Sequence, residues 1–225
     1  MLIRSWNVYH GRSHPPGRRG YVESAVRLAA ADGPDVLCLQ ELPLWSLPRL
    51  AGWSGMRAFP ARTRRAPFGA RAGGALTAAH YAALRSAFTG QANAILVAGS
   101  HEAESLGSLA ISDPREHPRA CQAVRVADRL VVGNIHASTH ASRQQVDRAL
   151  EWLDELLCPG EPVVLAGDFN ASLSLPGFSA PLGGIDDILV RGIDASPLAV
   201  WPVERRRQYG VVLSDHAPVE LTVSP

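Results

Sequence analysis

The chain has 225 residues, enough for one sizeable core and short for two independent domains, so a single domain over residues 1–225 is expected. Hydrophobic residues make up 46% and charged residues 19%, which is globular composition and excludes a disordered or fibrous chain. The net charge of +1 excludes a global pull towards nucleic acid or membrane, and no apolar run is long enough to span a bilayer. All 22 basic residues are arginine, a side chain that grips phosphate in a bidentate fork. The three cysteines, Cys38, Cys121 and Cys158, are odd in number and lack metal-type spacing. Buried free thiols are expected. Met1-Leu2-Ile3-Arg4 runs into structure without a basic-then-apolar leader, so the expectation is a soluble, cytoplasmic monomer.

Leu2 to Val8 reads as a strand with Ile3, Ser5 and Asn7 on one face. A Gly/Pro/Arg-rich loop from His10 to Gly20 follows, then a helix from Tyr21 to Ala31, stopped by Asp32-Gly33-Pro34. Val36-Leu37-Cys38-Leu39 is a buried strand ending at Gln40-Glu41. Trp53 to Gly74, with five arginines among Pro, Gly and Ala, reads as a surface loop, and Leu76 to Phe88 as a helix. Strands are expected at 93–97, 106–111, 121–126 and 130–136. The next helix carries Val146, Leu150, Leu153 and Leu157 on one stripe, with Ser142 and Gln145 as a capping box and Pro159-Gly160 as its stop. A buried strand at Val163-Val164-Leu165-Ala166 leads into Gly167-Asp168-Phe169-Asn170, followed by a loop to Gly184. Short apolar runs at 188–190 and 211–213 precede a last strand within 217–223. Hairpin-like and crossover-like spacings occur together, so mixed sheets packed on each other and covered by helices are expected.

Polar residues recur at the strand ends. They are Asn7, Glu41, His136, Asp168 with Asn170, and Asp215 with His216. Asp168 and Asn170 are two apart, so on an extended chain both would point the same way, whereas an Asx turn is the structural alternative. Asp186 precedes its apolar run, so its strand must run the opposite way to bring it to the same rim. Gathered in one cleft, these acids would repel one another, and a hard divalent cation with oxygen ligands resolves that conflict. Glu41 is the best single ligand on this reading, with Asp215 and Asn7 next. A zinc site of His10, His14, His140 and His136 is disfavoured because no cysteine joins them. Ser214-Asp215-His216 is no triad by itself, since adjacent side chains on an extended chain point apart. Arg57 to Arg71 and Arg205-Arg206-Arg207 are expected to be either phosphate grips or solvated surface.

Trp6-Asn7-Val8, Gln40-Glu41, Asn93-Ala94-Ile95-Leu96, Asn134-Ile135-His136, Gly167-Asp168-Phe169-Asn170, Ile185-Asp186-Asp187-Ile188-Leu189 and Ser214-Asp215-His216-Ala217-Pro218-Val219 occur in that order. This ordered set resembles the endonuclease/exonuclease/phosphatase superfamily over residues 1 to 220. The resemblance implies an α+β, four-layer sandwich, two mixed β-sheets face to face with helices outside. It implies hydrolysis of phosphate esters with Mg²⁺, for which Mn²⁺ can substitute. Matched by motif, Glu41 would be the metal ligand, and Asn7 and Asp215 would be nearby ligands. Asp168 would orient or deprotonate the water, Asn170 would hold the phosphate, Asp186 would pair with His216, and His136 would contact phosphate or leaving group. The sequence departs from the family pattern at Tyr9, at Asp187 and in the missing acidic partner of His136. A phosphodiester substrate, nucleic acid first, is the expectation. A lipid or small-molecule phosphate, or a non-catalytic binding protein, is the alternative.

Overall fold

The computed structural model describes residues 1–84, 88–127, 129–179 and 184–224. Its elements are β1 (Leu2–Asn7), β2 (Ser13–His14), α1 (Val22–Ala30), β3 (Val36–Leu42), α2 (Leu50–Ser54), β4 (Arg57–Arg64), α3 (Ala70–Ala79), α4 (Tyr81–Leu84), β5 (Gln91–Val97), β6 (Ala103–Ala110), β7 (Ala120–Val126), β8 (Leu130–His136), α5 (Ser142–Leu156), β9 (Val163–Asp168), β10 (Asp186–Arg191), β11 (Ala199–Val200), β12 (Arg207–Gln208), β13 (Val211–Leu213) and β14 (Val219–Thr222). One sheet has the order β11-β14-β1-β3-β5-β4 and the other β10-β9-β8-β7-β6, while β12-β13-β2 form a small third sheet. Both large sheets are mixed: β1 and β3 are parallel, as are β8 and β9, and the other pairs are antiparallel.

The alternation of each strand decides the layers. Ile3, Val36, Cys38 and Ile95 of the first sheet meet Val124, Val132, Val164 and Ile188 of the second in one buried cluster. The opposite faces turn outward. Leu37 and Leu39 pack under Val22, Ala25, Val26 and Ala29 of α1. Val131, Val163 and Leu165 pack under Val146, Ala149 and Leu153 of α5. Helix, sheet, sheet and helix form the expected α+β sandwich. Polar stitches cross the interior: Asn134 on β8 donates to the carbonyls of Leu39 (3.1 Å) and Ala94 (3.0 Å) and accepts from Gln40 (2.7 Å).

Several local readings of the sequence are corrected. The arginine-rich segment is not a loop. It contains β4 and the first half of α3, and β4 is the sheet's edge strand, where arginines and Pro60 are tolerated because one side of the backbone has no ladder to complete. The helix expected over Leu76 to Phe88 is split between α3 and α4, with 85–87 outside the described residues. Residues 180–183 of the loop before Gly184 also lie outside them. Ser142 and Gln145 form no capping box: Ser142 donates to the carbonyl of Phe169 (2.6 Å), and Gln145 accepts from the Ser138 N–H (2.8 Å) and donates to its hydroxyl (3.0 Å). Tertiary partners outcompeted the helix's own end. Cys38 and Cys121 are buried, but Cys158 is exposed beyond α5. Among the described residues no helix is long and apolar enough to cross a membrane.

Candidate active site

The faces that fill the core carry polar residues where the strands run out. Asn7 ends β1 on the face of Ile3, His136 ends β8 on the face of Val132, and Asp168 ends β9 on the face of Val164 and Ala166. β10 runs antiparallel to β9 and places Asp186 opposite Asp168, with His136 opposite Asp168 on the other side. Alternation also separates the two neighbouring acids. Asp186 shares the inward face of Ile188 and Val190, while Asp187 takes the other face with Leu189. Glu41 reaches the rim by a different device. The register of β3 shifts between Leu39 and Leu42, and Glu41 adopts φ 56°. The bulge reverses the alternation, so Leu42 packs outward.

Asp168 sits at the centre. Its Oδ2 accepts from the Asn7 amide (2.9 Å) and lies 3.6 Å from His136 Nε2 and 3.9 Å from His216 Nε2. Its Oδ1 accepts the Asn170 N–H (2.9 Å). Burial, and then the charge of Asp186, push its carboxyl up to about 6. His216 Nδ1 lies 2.8 Å from Asp186 Oδ2. Burial alone would lower its pKa, but the Asp186 hydrogen bond and the surrounding acids outweigh that and raise it to about 9. Its loop is pinned to β1: the Ser214 hydroxyl donates to the Asn7 carbonyl (2.7 Å), and the Trp6 indole donates to the His216 carbonyl (3.0 Å). Ligand atoms of Asp168, Asp186 and His216 all lie within 4.8 Å of one another.

Glu41 lies between two imidazoles, 3.3 Å from His10 Nε2 and 3.6 Å from His136 Nε2. Burial raises its carboxyl above the usual range. Both rings are held neutral. Burial, then the charge of Arg64 and Arg119, brings His10 down to about 3, and burial, then Arg119, takes His136 well below its usual value. The Arg119 guanidinium lies 2.6 Å from His136 Nε2, and the Gln91 amide lies 3.0 Å from Nδ1.

The structure thus brings Asn7, Glu41, His136, Asp168, Asp186 and His216 together. Asp215 is at the exposed edge, 3.9 Å from His216 Nε2. Asn170 departs from the extended geometry that would align it with Asp168. It adopts φ 53°, and its amide donates to the Ala137 carbonyl (2.9 Å). The Asx turn and the acidic site therefore coexist. His14 and His140 are exposed, and His140 faces Glu116, so no four-histidine cluster forms. Arg205 and Arg206 are structural: Arg205 pairs with Asp32 and Glu220, and Arg206 donates to the carbonyl of His216. Sequence reasoning missed Arg119 and Gln91 and considered His10 only for a disfavoured zinc site. The available signal for Arg119 was its place directly before β7, whose Ala120 pairs with His136.

A comparison with curated proteins finds no match. Solved structures share the fold. A functionally unknown conserved protein from Enterococcus faecalis V583 superposes with TM-score 0.68 at 19% identity, covering 100% of this chain and 99% of that one. A humanized D. rerio TDP2 gives TM-score 0.65 at 19% identity, covering 100% and 99%. The Bacteroides thetaiotaomicron VPI-5482 mannosyl-6-phosphatase Bt3783 gives 0.62 at 16%, again covering 100% and 99%. The sequence profile described as the Endonuclease/Exonuclease/phosphatase family matches residues 5–216, nearly the whole chain and all the motifs gathered at this rim. On that match the chain belongs to the endonuclease/exonuclease/phosphatase family and is a metal-dependent phosphoesterase.

Proposed function

We propose that the chain is a Mg²⁺-dependent phosphodiesterase that hydrolyses nucleic acid by in-line attack of water, with Mn²⁺ able to substitute. The observation that carries the reading is the pairing of Asp168 with the Asp186–His216 couple beside Glu41 at one rim. The donor set fits a hard cation. Asp186 Oδ1 is buried without a hydrogen-bond partner, Asp168 and Asp186 crowd each other, and burial strains Glu41 towards its neutral form. Glu41 would hold the metal, with Asp215 and Asn7 at its margin. The ion would polarise a phosphate oxygen and offset the charge developing on it.

The remaining steps belong to the chain's own side chains. Asp168, ionised above about 6, orients the attacking water and accepts its proton as the new P–O bond forms and the ester P–O bond breaks. His216 is protonated below about 9, so at neutral pH it serves as a charged clamp on the phosphate rather than as a base. Arg119, aligned against neutral His136, adds a guanidinium to the phosphate side of the rim. The Asn170 amide, tied to the Ala137 carbonyl, would hold the phosphate after turning from that carbonyl.

The test is turnover of bis(p-nitrophenyl) phosphate and of DNA and RNA oligonucleotides, with Mg²⁺, with Mn²⁺ and with EDTA. Turnover that needs the metal and is lost in Glu41→Ala is expected. Metal-independent turnover, or none on any phosphodiester, overturns the reading. The mannosyl-6-phosphatase among the structural neighbours makes a sugar phosphate the comparison substrate for the same panel.

A further inference from the structure

A second concave surface takes no part in the chemistry above. It is a cleft of about 1150 Å³. Leu44, Trp45, Trp53 and Tyr81 line its apolar side, and Arg18, Arg19, Arg49, Arg62 and Arg71 surround it. The chain that builds the catalytic rim also builds this cleft. Leu44 and Trp45 follow Glu41 by three and four residues, and Arg62 precedes Arg64, whose guanidinium faces His117 and whose charge acts on His10.

Arginines are concentrated in the lining of this cleft. The chain as a whole is nearly neutral, and several arginines outside the cleft sit against acids: Arg27 with Glu23, Arg143 with Asp147, Arg148 with Asp113, Arg205 with Asp32. Among the described residues Arg18, Arg19, Arg62 and Arg71 are exposed and face no carboxylate. The one acid in the lining, Glu23, is already paired with Arg27 at 2.8 Å. With Arg49, which lies over the Trp45 ring, five arginines line one concavity.

We infer that this cleft binds a single-stranded segment of nucleic acid next to the scissile phosphate, an inference that rests on the proposed nuclease reading. Arginines spread along a groove suit a chain of phosphates rather than one isolated anion. The volume exceeds the roughly 300–1,000 Å³ of ordinary small-molecule pockets. Half-buried tryptophans in the same lining suit bases, and only a single strand has base faces free to meet them, because a duplex keeps its own stacked. A membrane surface would call for basic and apolar groups on a convex face, whereas these line a concave one.

The experiment measures binding of a fluorescent 12-nucleotide single-stranded DNA by anisotropy in EDTA, where no turnover occurs, to the full chain and to Arg18→Ala/Arg19→Ala and Arg62→Ala/Arg71→Ala. A loss of about tenfold in affinity is expected for each double variant. The slope of log K against log salt should become shallower by about 1.4 per pair, at about 0.7 per lost single-strand phosphate contact. With metal present, kcat/KM on the oligonucleotide should fall relative to that on bis(p-nitrophenyl) phosphate. Unchanged affinity in both variants overturns the inference. Equal loss on both substrates overturns it too, since it would report altered folding. Tighter arginine-dependent binding to a blunt duplex or to anionic phosphatidylserine vesicles overturns the assignment to single strands. Glu41→Ala separates the two readings: loss of turnover with oligonucleotide affinity kept is expected, whereas arginine-dependent binding by a chain with no metal-dependent turnover leaves the cleft standing and removes the catalytic reading.

Discussion

Asp186 acts on two groups whose titrations point in opposite functional directions. It raises Asp168 to about 6 by repulsion added to burial, and it is the main force carrying His216 up to about 9 against burial. The sign for His216 is that of a group favoured in its charged form by the fold. That contribution to stability is complete below the usual 6.5 and fades as pH rises through about 9. Asp168 is the reverse case: its carboxyl is raised from 3.8, so the fold loses stability as pH rises from 3.8 through about 6. Asp186→Asn should therefore move the His216 titration, followed by NMR in EDTA, down by at least about one pH unit. A His216 titration left near 9 in that variant would remove Asp186 as its cause. Asp168→Asn should lower kcat by about 10²–10⁴-fold with KM changed little, since the change removes proton acceptance and keeps the shape of the site. Steady-state kinetics at pH 7.5 decides this, and near-normal kcat would take Asp168 out of the mechanism.

At the scale of elements, the rim depends on two backbone irregularities. One is the β3 bulge that swings Glu41 inward. The other is at β9, where Gly167 adopts φ 148° and passes so close to β8 that a Cβ there would meet the Ile135 carbonyl oxygen at 1.9 Å. The neighbour is backbone, which cannot turn aside as a side chain would. Gly167→Ala should destabilise the fold by about 3 kcal/mol, a Tm loss of about 6–12 °C for a chain of this size. A melting curve within 2 °C of the parent would show that β8 and β9 can separate without loss. The same close approach keeps His136 and Asp168 on adjacent, in-register strand ends.

For the whole molecule, the clustering of acids is a cost borne by the fold, which a cation bound there would offset. Any ligand that binds only the folded chain raises its stability, by about 2.7 kcal/mol at a hundred times its Kd. Saturating Mg²⁺ should raise Tm by about 5–11 °C over the EDTA form, and Glu41→Ala should abolish that rise. A rise of equal size in Glu41→Ala would place the cation elsewhere. Na⁺ at matched ionic strength controls for screening, which the near-zero net charge keeps small.

Apolar runs, helix stops and the order of polar motifs were legible in the chain because they follow from local periodicity. β8 and β13 stand where their patterns place them, and Asp186 lies on an antiparallel strand as its position before Ile188 requires. β4 was hidden because an edge strand needs neither alternation nor freedom from proline, and the expected capping box failed because Ser138 and Phe169, distant in pattern but near in space, took its hydrogen bonds. The sequence by itself determined which residues face the core and which motifs end the strands, since those depend on neighbours along the chain. Only the tertiary structure decided that a bulge turns Glu41 inward, that Arg119 and His10 join the rim and that unpaired arginines gather at one cleft, because each of these is set by contacts between segments that sequence spacing does not relate.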